Sequence, residues 1–256
     1  MPTPPQHEQI HYLLQLAATD PGRDYKRRLL AELDLRRGQT VLDLGCGPGA
    51  DLATMADRVG EQGTVIGVDH DPMMVEAAQH RVEQPNIEIR LASGSALPLD
   101  DHSVDRARID RVLMHVESPA AILAEVGRVL RPGCLVGLVE PDWDTLTFDV
   151  PDLATTRAYT RYVADHVIRN GTIGRQLTRL AMEAGFAVQS IIPTPIVFGS
   201  YAAADQILRM GSVASRAVAD GAIEAGAAQA WLASLATGPF QAGFTFYTVI
   251  AETAAV

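Results

Sequence analysis

The ten residues TVLDLGCGPG, at positions 40–49, constrain the fold more than any other stretch of the chain. A short apolar run with β-branched residues leads straight into three glycines, and a helical pattern follows. Strands that are apolar on both faces belong to parallel sheets covered on both sides. Glycine lets the backbone turn tightly and approach a ligand closely, because no Cβ intrudes. In open α/β sheets, ligands bind outside the carboxyl ends of the strands, where such a turn lies. An ordinary strand–helix turn does not call for Asp43 and three glycines within seven residues.

The rest of the chain supports a sheet of this kind. Strands are predicted at 40–44, 64–69, 87–91, 105–109 and 134–139, with helices at 50–59, 72–82 and 120–130 between them. Strands separated by helices of this length define a parallel, doubly wound sheet. The second half is less regular. It reads as helices at 153–169 and 173–184, a strand at 187–193, helices at 201–218 and 222–236, and a last strand at 244–251. Near the start, a helical pattern from 6 to 35 is interrupted by the turn signal Asp20-Pro21-Gly22, with a second helix at 24–33. The expectation is an α/β, Rossmann-like, doubly wound and mostly parallel seven-stranded sheet. Residues 1–37 would form an N-terminal helical cap. Residues 38–256 would form the main domain, with helical insertions near 145–170 and 200–238 acting as a lid.

A glycine turn alone does not choose a ligand. A dinucleotide site prefers GxGxxG, with a pyrophosphate on the helix N-terminus. Here the spacing is GxGxG, and Asp43 stands just before it. A carboxylate repels a diphosphate and attracts an ammonium or sulfonium, which favours S-adenosylmethionine over NAD. The second strand ends at Asp69, twenty residues after Gly49. A carboxylate there can accept hydrogen bonds from both ribose hydroxyls of an adenosine. Met73 and Met74 follow closely and could pack on the adenine or in the core.

Composition removes other classes. The formal net charge is −10, whereas a nucleic-acid binder needs a basic surface to neutralise phosphates. Two cysteines, Cys46 and Cys134, form no CxxC pair and no disulfide framework. No apolar run reaches the roughly 18–20 residues of a membrane span. The opening residues lack a signal-peptide pattern, so a cytoplasmic protein without membrane partners is expected. His7 and His11 are four apart on the first helix, but no third ligand accompanies them, so no metal is expected.

Taken together, VLDLGCGPGAD, VIGVDHDPM, SGSALPLDDHSVD and VLMHVESPAAILAEVGRVLRPGCLVGLVEPDWDT resemble class I S-adenosylmethionine-dependent methyltransferases, within the ubiquinone/menaquinone-biosynthesis-like group. The resemblance covers about residues 38–145. It implies S-adenosylmethionine as cofactor, with Asp43, Gly45 and Gly47 lining its methionine end, Asp69 holding the ribose and His70 beside the adenosine. Cys46, Gly49 and Met73 are further candidate cofactor contacts. The resemblance also places Asp110 and Arg111 beside the reactive methyl. The family usually shows an aspartate after the glycine at 94. Here Gly94-Ser95-Ala96 stands instead, so Ser95 or backbone groups must serve the adenine.

Candidate catalytic residues are His115, a base near neutral pH, and Arg111, whose bland alternative is a salt bridge with Asp110 or Glu117. Glu140, Asp142 and Trp143 are expected at the pocket mouth. Tyr12, Trp143, Tyr162 and His166 are candidate substrate contacts, with Tyr159, Tyr162, His166 and Arg169 on one helix face. The expected partner is a small, partly apolar metabolite, and homodimerisation is compatible with the sequence. The rival readings are a methyltransferase fold that catalyses a cyclisation or rearrangement, a non-catalytic binding module, and an NAD oxidoreductase.

Overall fold

The computed structural model describes Ile10, Leu13, Leu14 and residues 20–255. Among these, seven strands form one sheet: β1 Thr40–Leu44, β2 Thr64–Asp69, β3 Ile87–Leu91, β4 Val104–Asp110, β5 Leu130–Phe148, β6 Ala187–Phe198 and β7 Ala242–Glu252. Their order is β3-β2-β1-β4-β5-β7-β6. The first five pair in parallel, and β7 runs antiparallel between β5 and β6. The strand order reverses between β1 and β4, so the glycine turn after β1 sits at the switch point, where α/β proteins bind ligands.

The helices are α1 Asp20–Glu32, α2 Leu52–Val59, α3 Pro72–Arg81, α4 Pro119–Val129, α5 Leu153–Tyr162, α6 Ile173–Glu183, α7 Tyr201–Leu208, α8 Met210–Ala219 and α9 Ala225–Thr237. Buried apolar side chains form two groups, as helices on both faces of a sheet require. One gathers α1 and α2 (Leu29, Leu33, Met55, Val59) with the late helices, and the other gathers α4 and α6 (Leu123, Val126, Leu177, Ala181). Proline at the first turn and a capping side chain start α3 and α4. Asp71 accepts from the Met73 amide, and Ser118 accepts from the Ala121 amide.

Several boundaries move from the sequence reading, each for a physical reason. Asp20-Pro21-Gly22 is the first turn of α1, where proline's missing N–H costs nothing. β5 starts at Leu130, passes through the Arg-Pro-Gly expected to close the preceding helix, and continues to Phe148 with a bulge between Asp142 and Thr147. The insert therefore begins as strand, and its helix α5 ends in a π-helical turn, Val163–Val167. β6 runs past Pro193 to Phe198 because it is an edge strand, where prolines leave no ladder partner unmet. The helix expected over 201–218 breaks at Arg209, a non-glycine residue in the left-handed region (φ 47°, ψ 47°).

The late helices pack over β5, β6 and β7. Trp231 of α9 is buried against Tyr159 (centroids 4.6 Å) and edge-on to Phe148 (5.3 Å). Its indole N–H donates to Thr156 at 2.9 Å.

Candidate active site

A single cavity of about 1280 Å³ opens above the carboxyl ends of β1, β2 and β4 and extends beneath α7 and α8. The glycine turn forms its floor. Gly45, Gly47 and Gly49 all have positive φ (74°, 53° and 74°), a region favourable only to glycine. Their side-chain positions differ in meaning. A Cβ on Gly45 would lie 2.2 Å from Val112 Cγ2, and one on Gly49 would lie 3.1 Å from the Ala78 Cβ. Gly47 has nothing within 4 Å there and lines the cavity. Gly45 and Gly49 sit close against their neighbours, Gly45 while also lining the cavity, and Gly47 leaves room for a ligand. Gly49 does not line the cavity; its amide closes the turn on Cys46 O.

Asp69 is buried at the end of β2. One carboxylate oxygen accepts from the Gly47 amide (2.9 Å) and the other from the Asp71 amide (3.0 Å). It stitches the glycine turn to β2, and each oxygen keeps a second lone pair for a ligand hydroxyl. His70 beside it is mostly exposed, with Nδ1 3.4 Å from Asp69. Asp71 is a helix cap and lines the cavity. Met74, not Met73, faces the cavity; the Met73 amide instead receives the Asp71 cap. Where the resemblance puts the adenine, Gly94 and Ser95 line the wall and Ala96 does not. A Cβ on Gly94 would sit 2.9 Å from Ile122 Cδ1, the outer end of that side chain. The hydroxyls of Ser93 and Ser95 share a hydrogen bond of 2.9 Å.

The methionine end differs from the sequence expectation. Asp43 is not a lone carboxylate. Arg108 of β4, buried with it, approaches its two oxygens at 3.3 and 3.4 Å, reaches Asp51 at 2.8 Å and also binds Asp110. Lys26 of α1 pairs with Asp51, the Tyr25 hydroxyl donates to Asp110 at 3.2 Å, and Arg111 lies 3.4 Å from Asp110. Three carboxylates therefore face Lys26, Arg108 and Arg111. Burial, and then the neighbouring aspartates against Arg108, push the Asp43 pKa up to about 6. Burial also opposes ionisation of Asp110, but Arg108 and Arg111 outweigh it and hold that pKa below the ordinary carboxylate range. The site offers both signs of charge side by side, which suits a zwitterion, whereas the sequence suggested a purely anionic patch. Sequence reasoning missed Tyr25, Lys26, Asp51 and Arg108. The visible signal was Arg108 itself, a charge within a short central strand.

The turn after β4 carries Arg111, in the left-handed region at φ 59°, and His115. Both line the cavity. The turn is held from within by Glu140, whose Oε1 accepts from the amides of Val112 (2.8 Å) and Leu113 (2.5 Å). Asn170 holds it from outside, donating to the carbonyls of Leu113 and Val116 (2.8 and 2.9 Å). Glu140 and Asp142 are fully buried and do not stand at the pocket mouth; Asp142 instead binds Arg175. Burial, partly offset by those amides, raises the Glu140 pKa to about 8. Enclosure by the surrounding chain, then Arg111 and His70, lower the pKa of His115. Its imidazole is neutral at pH 7 and able to take a proton. Cys46 lines the cavity as a neutral thiol, since burial and then Asp43 and Asp69 raise its pKa.

Of the substrate candidates, Trp143 lines the cavity and stacks on Phe244 at 4.8 Å. Tyr162 and His166 do not line it. Both border a separate recess of about 270 Å³. Tyr159, three residues before Tyr162, lines the cavity, while the Tyr162 hydroxyl donates to Asp220 at 2.5 Å. Tyr12 lies outside the described residues, as do His7 and His11. Among the described residues no group of histidine, cysteine and carboxylate side chains is arranged to hold a metal, and no helix is long and apolar enough to cross a membrane.

Comparison with known proteins agrees with this geometry. Residues 41–133 match the methyltransferase domain family. The chain is 52% identical, over 96% of its length, to a 37.1 kDa uncharacterised protein of transposon TN4556 from Streptomyces fradiae, and it covers 71% of that protein. It is 33% identical over 55% of its length to demethylmenaquinone methyltransferase from Lactobacillus johnsonii, covering only 58% of that enzyme. The fold matches a SAM-dependent methyltransferase from Aquifex aeolicus with a TM-score of 0.56 at 23% identity, over 72% of this chain and 90% of that one.

The chain belongs to the class I S-adenosylmethionine-dependent methyltransferases. Its cofactor is S-adenosylmethionine. The residues present fit that group: an open Gly47, a carboxylate at the end of β2 with spare lone pairs, and a paired-charge cluster where the zwitterionic methionine end would lie.

Proposed function

We propose that this chain methylates a small, partly apolar metabolite. The observation that supports it is one continuous cavity joining the glycine turn to an apolar chamber under the lid. Its volume of about 1280 Å³ exceeds the roughly 300–1,000 Å³ that accommodates one drug-sized ligand, so cofactor and acceptor fit together. The chamber walls are Trp143, Leu146, Ile196, Phe198, Phe244 and Phe246.

When bound, S-adenosylmethionine supplies an electrophilic methyl on its own leaving group, so the protein contributes mainly position and proton handling. Gly47, Asp69 and His70 hold the adenosine half, with Gly94 and Ser95 at the adenine. Asp43, Asp110, Lys26 and Arg108 hold the methionine half. His115, neutral at physiological pH, removes the acceptor's proton where the acceptor is a hydroxyl or amine. Arg111 orients the acceptor beside it. Trp143 and its neighbours exclude water and grip the apolar body. The test incubates the protein with methyl-labelled cofactor and a metabolite extract, followed by mass spectrometry. A labelled product with S-adenosylhomocysteine supports the reading. A product formed without S-adenosylhomocysteine assigns a non-methylating reaction instead.

A further inference from the structure

The turn that carries His115 is fastened to the insert through a single residue. Asn170 stands between the π-helical turn and α6, and its donors all go to carbonyls of that turn. Its backbone amide donates to Met114 (3.1 Å), and its side-chain amide donates to Leu113 (2.8 Å) and Val116 (2.9 Å). These carbonyls lie on both sides of His115. The turn belongs to neither helix nor strand, so its backbone groups need partners from elsewhere. A carboxamide brings two N–H donors on one planar group, which no carboxylate or aliphatic side chain of that size can do.

The opposite side of the turn is fixed by β5. Glu140 takes the amides of Val112 and Leu113, and the Arg111 amide donates to the Val139 carbonyl at 2.9 Å. The amides at the start of the turn are therefore anchored to the sheet and its later carbonyls to the insert.

Asn170 is itself closely held. Its carbonyl accepts from the Ile173 amide (3.1 Å), and the Gly171 carbonyl accepts from the Trp143 amide (2.8 Å). A Cβ on Gly171 would run into the Ala164 carbonyl, and one on Gly174 would lie 2.9 Å from both the Glu140 carbonyl oxygen and the Asp142 amide nitrogen. The segment thus lies hard against α5's π-helical turn and against β5. Just before Asn170, the same insert supplies Val163, Val167 and Ile168 to the cavity wall, whereas Asn170 does not line the cavity.

Resting on the methyltransferase reading above, with His115 as the base, we propose that Asn170 is a positioning residue, which holds His115 at a fixed place against the insert wall facing the acceptor. It acts through the backbone on either side of His115 and touches no ligand. Enclosure keeps His115 from charging easily, with Arg111 and His70 the charged groups that act on it. Releasing the turn should admit water to the ring, and hydration favours the imidazolium.

NMR titration of the imidazole in the full chain tests this, with the His115 signal assigned by its loss in His115→Asn. Asn170→Leu keeps the side-chain size and removes both side-chain donors, Asn170→Ala removes the side chain, and Asn170→Ser keeps one donor. In the leucine and alanine variants the His115 midpoint should rise from its wild-type place towards the ordinary 6.5, with the serine variant between. S-adenosylhomocysteine affinity should stay near the wild-type value, because Asn170 reaches none of Gly47, Asp69 or Arg108. If one variant fails to fold, the others carry the measurement. A His115 midpoint unchanged in every folded variant overturns the proposal, and a lowered melting temperature alone would then assign Asn170 to stability. The reading beneath it fails separately: labelled product formed by His115→Asn at the wild-type rate removes His115 as the base, whatever its titration in the Asn170 variants.

Discussion

Gly45 and Gly47 stand two residues apart in the same turn, and alanine should harm them in different ways. At Gly45, alanine must adopt φ 74° and place a Cβ 2.2 Å from Val112 Cγ2. The left-handed conformation costs a non-glycine residue about 1–2 kcal/mol, and overpacking adds typically about 1–3 kcal/mol. Gly45→Ala should lose about 2–5 kcal/mol of stability. At roughly 2–4 °C per kcal/mol for a chain of this size, the melting temperature should fall by several degrees at least. At Gly47, φ is 53° and the space is open, so only the backbone term of about 1–2 kcal/mol applies. The new methyl, however, points into the space the cofactor needs. Gly47→Ala should lose only that backbone share, less than Gly45→Ala loses, yet bind S-adenosylhomocysteine at least about tenfold more weakly, about 1.4 kcal/mol. Scanning calorimetry and ligand titration on both variants read the two effects separately. Trimming the neighbour, in Gly45→Ala with Val112→Ala, should recover part of the stability, as coupled contacts do. If Gly47→Ala binds like wild type, the turn is not the cofactor's cradle. If Gly45→Ala is as stable as wild type, the steric argument fails.

Three further outcomes follow from the geometry. Asp69→Ala removes two stitches to the turn as well as the expected ribose acceptors, so both melting temperature and S-adenosylhomocysteine affinity should fall, with Asp69→Asn intermediate; unchanged affinity on titration would assign Asp69 to structure alone. Glu140 has its pKa raised from 4.5 to about 8, so its contribution to stability is complete below the unfolded value and is lost as pH rises through that window. Melting curves of wild type should therefore decline relative to Glu140→Gln between those pH values, and parallel curves would show that Glu140 does not titrate there. His115, with its pKa held below the ordinary 6.5, should be less protonated at neutral pH than a free imidazole. A methylation rate dependent on it should fall only on acidification below that value, and His115→Asn should abolish the limb in a kcat/KM profile.

The parts of the molecule that were readable before folding are those governed by local rules. Strand β1, the glycine turn and Asp69 follow from apolar runs, positive φ and the position of a strand end, none of which depends on distant residues. The seven strands were likewise visible as apolar runs, although β5 and β6 were cut short. Arg131-Pro132-Gly133 and Pro193 read as stops, because proline and glycine report on local turns. The sheet overrides them at an edge strand and at a strand start. The single helix expected over 201–218 failed for the opposite reason. Nothing in its apolar spacing marks Arg209, and the break depends on Asp205 capping two helices at once.

The methionine end shows why a charge argument from sequence reaches the right ligand by an incomplete route. Asp43 was read as an isolated anion attracting a cation. Folding brings Arg108 from β4, Asp51 from beyond the glycine turn and Lys26 from α1 to the same point, and none of these meetings is encoded in spacing along the chain. A buried carboxylate left unpaired would neutralise itself by taking up a proton, so Asp43 needs Arg108 to remain an anion in that position. Arg108 in turn is fixed by three carboxylates, which leaves it unable to swing away. The resulting cluster is nearly neutral overall and strongly polar locally. It would reject a diphosphate for lack of net positive charge and accept an ammonium and a carboxylate side by side. The preference for S-adenosylmethionine over a dinucleotide therefore rests on the alternation of charges across two strands, the turns after them and a helix. A single aspartate supplied the hint, and the tertiary fold supplies the reason.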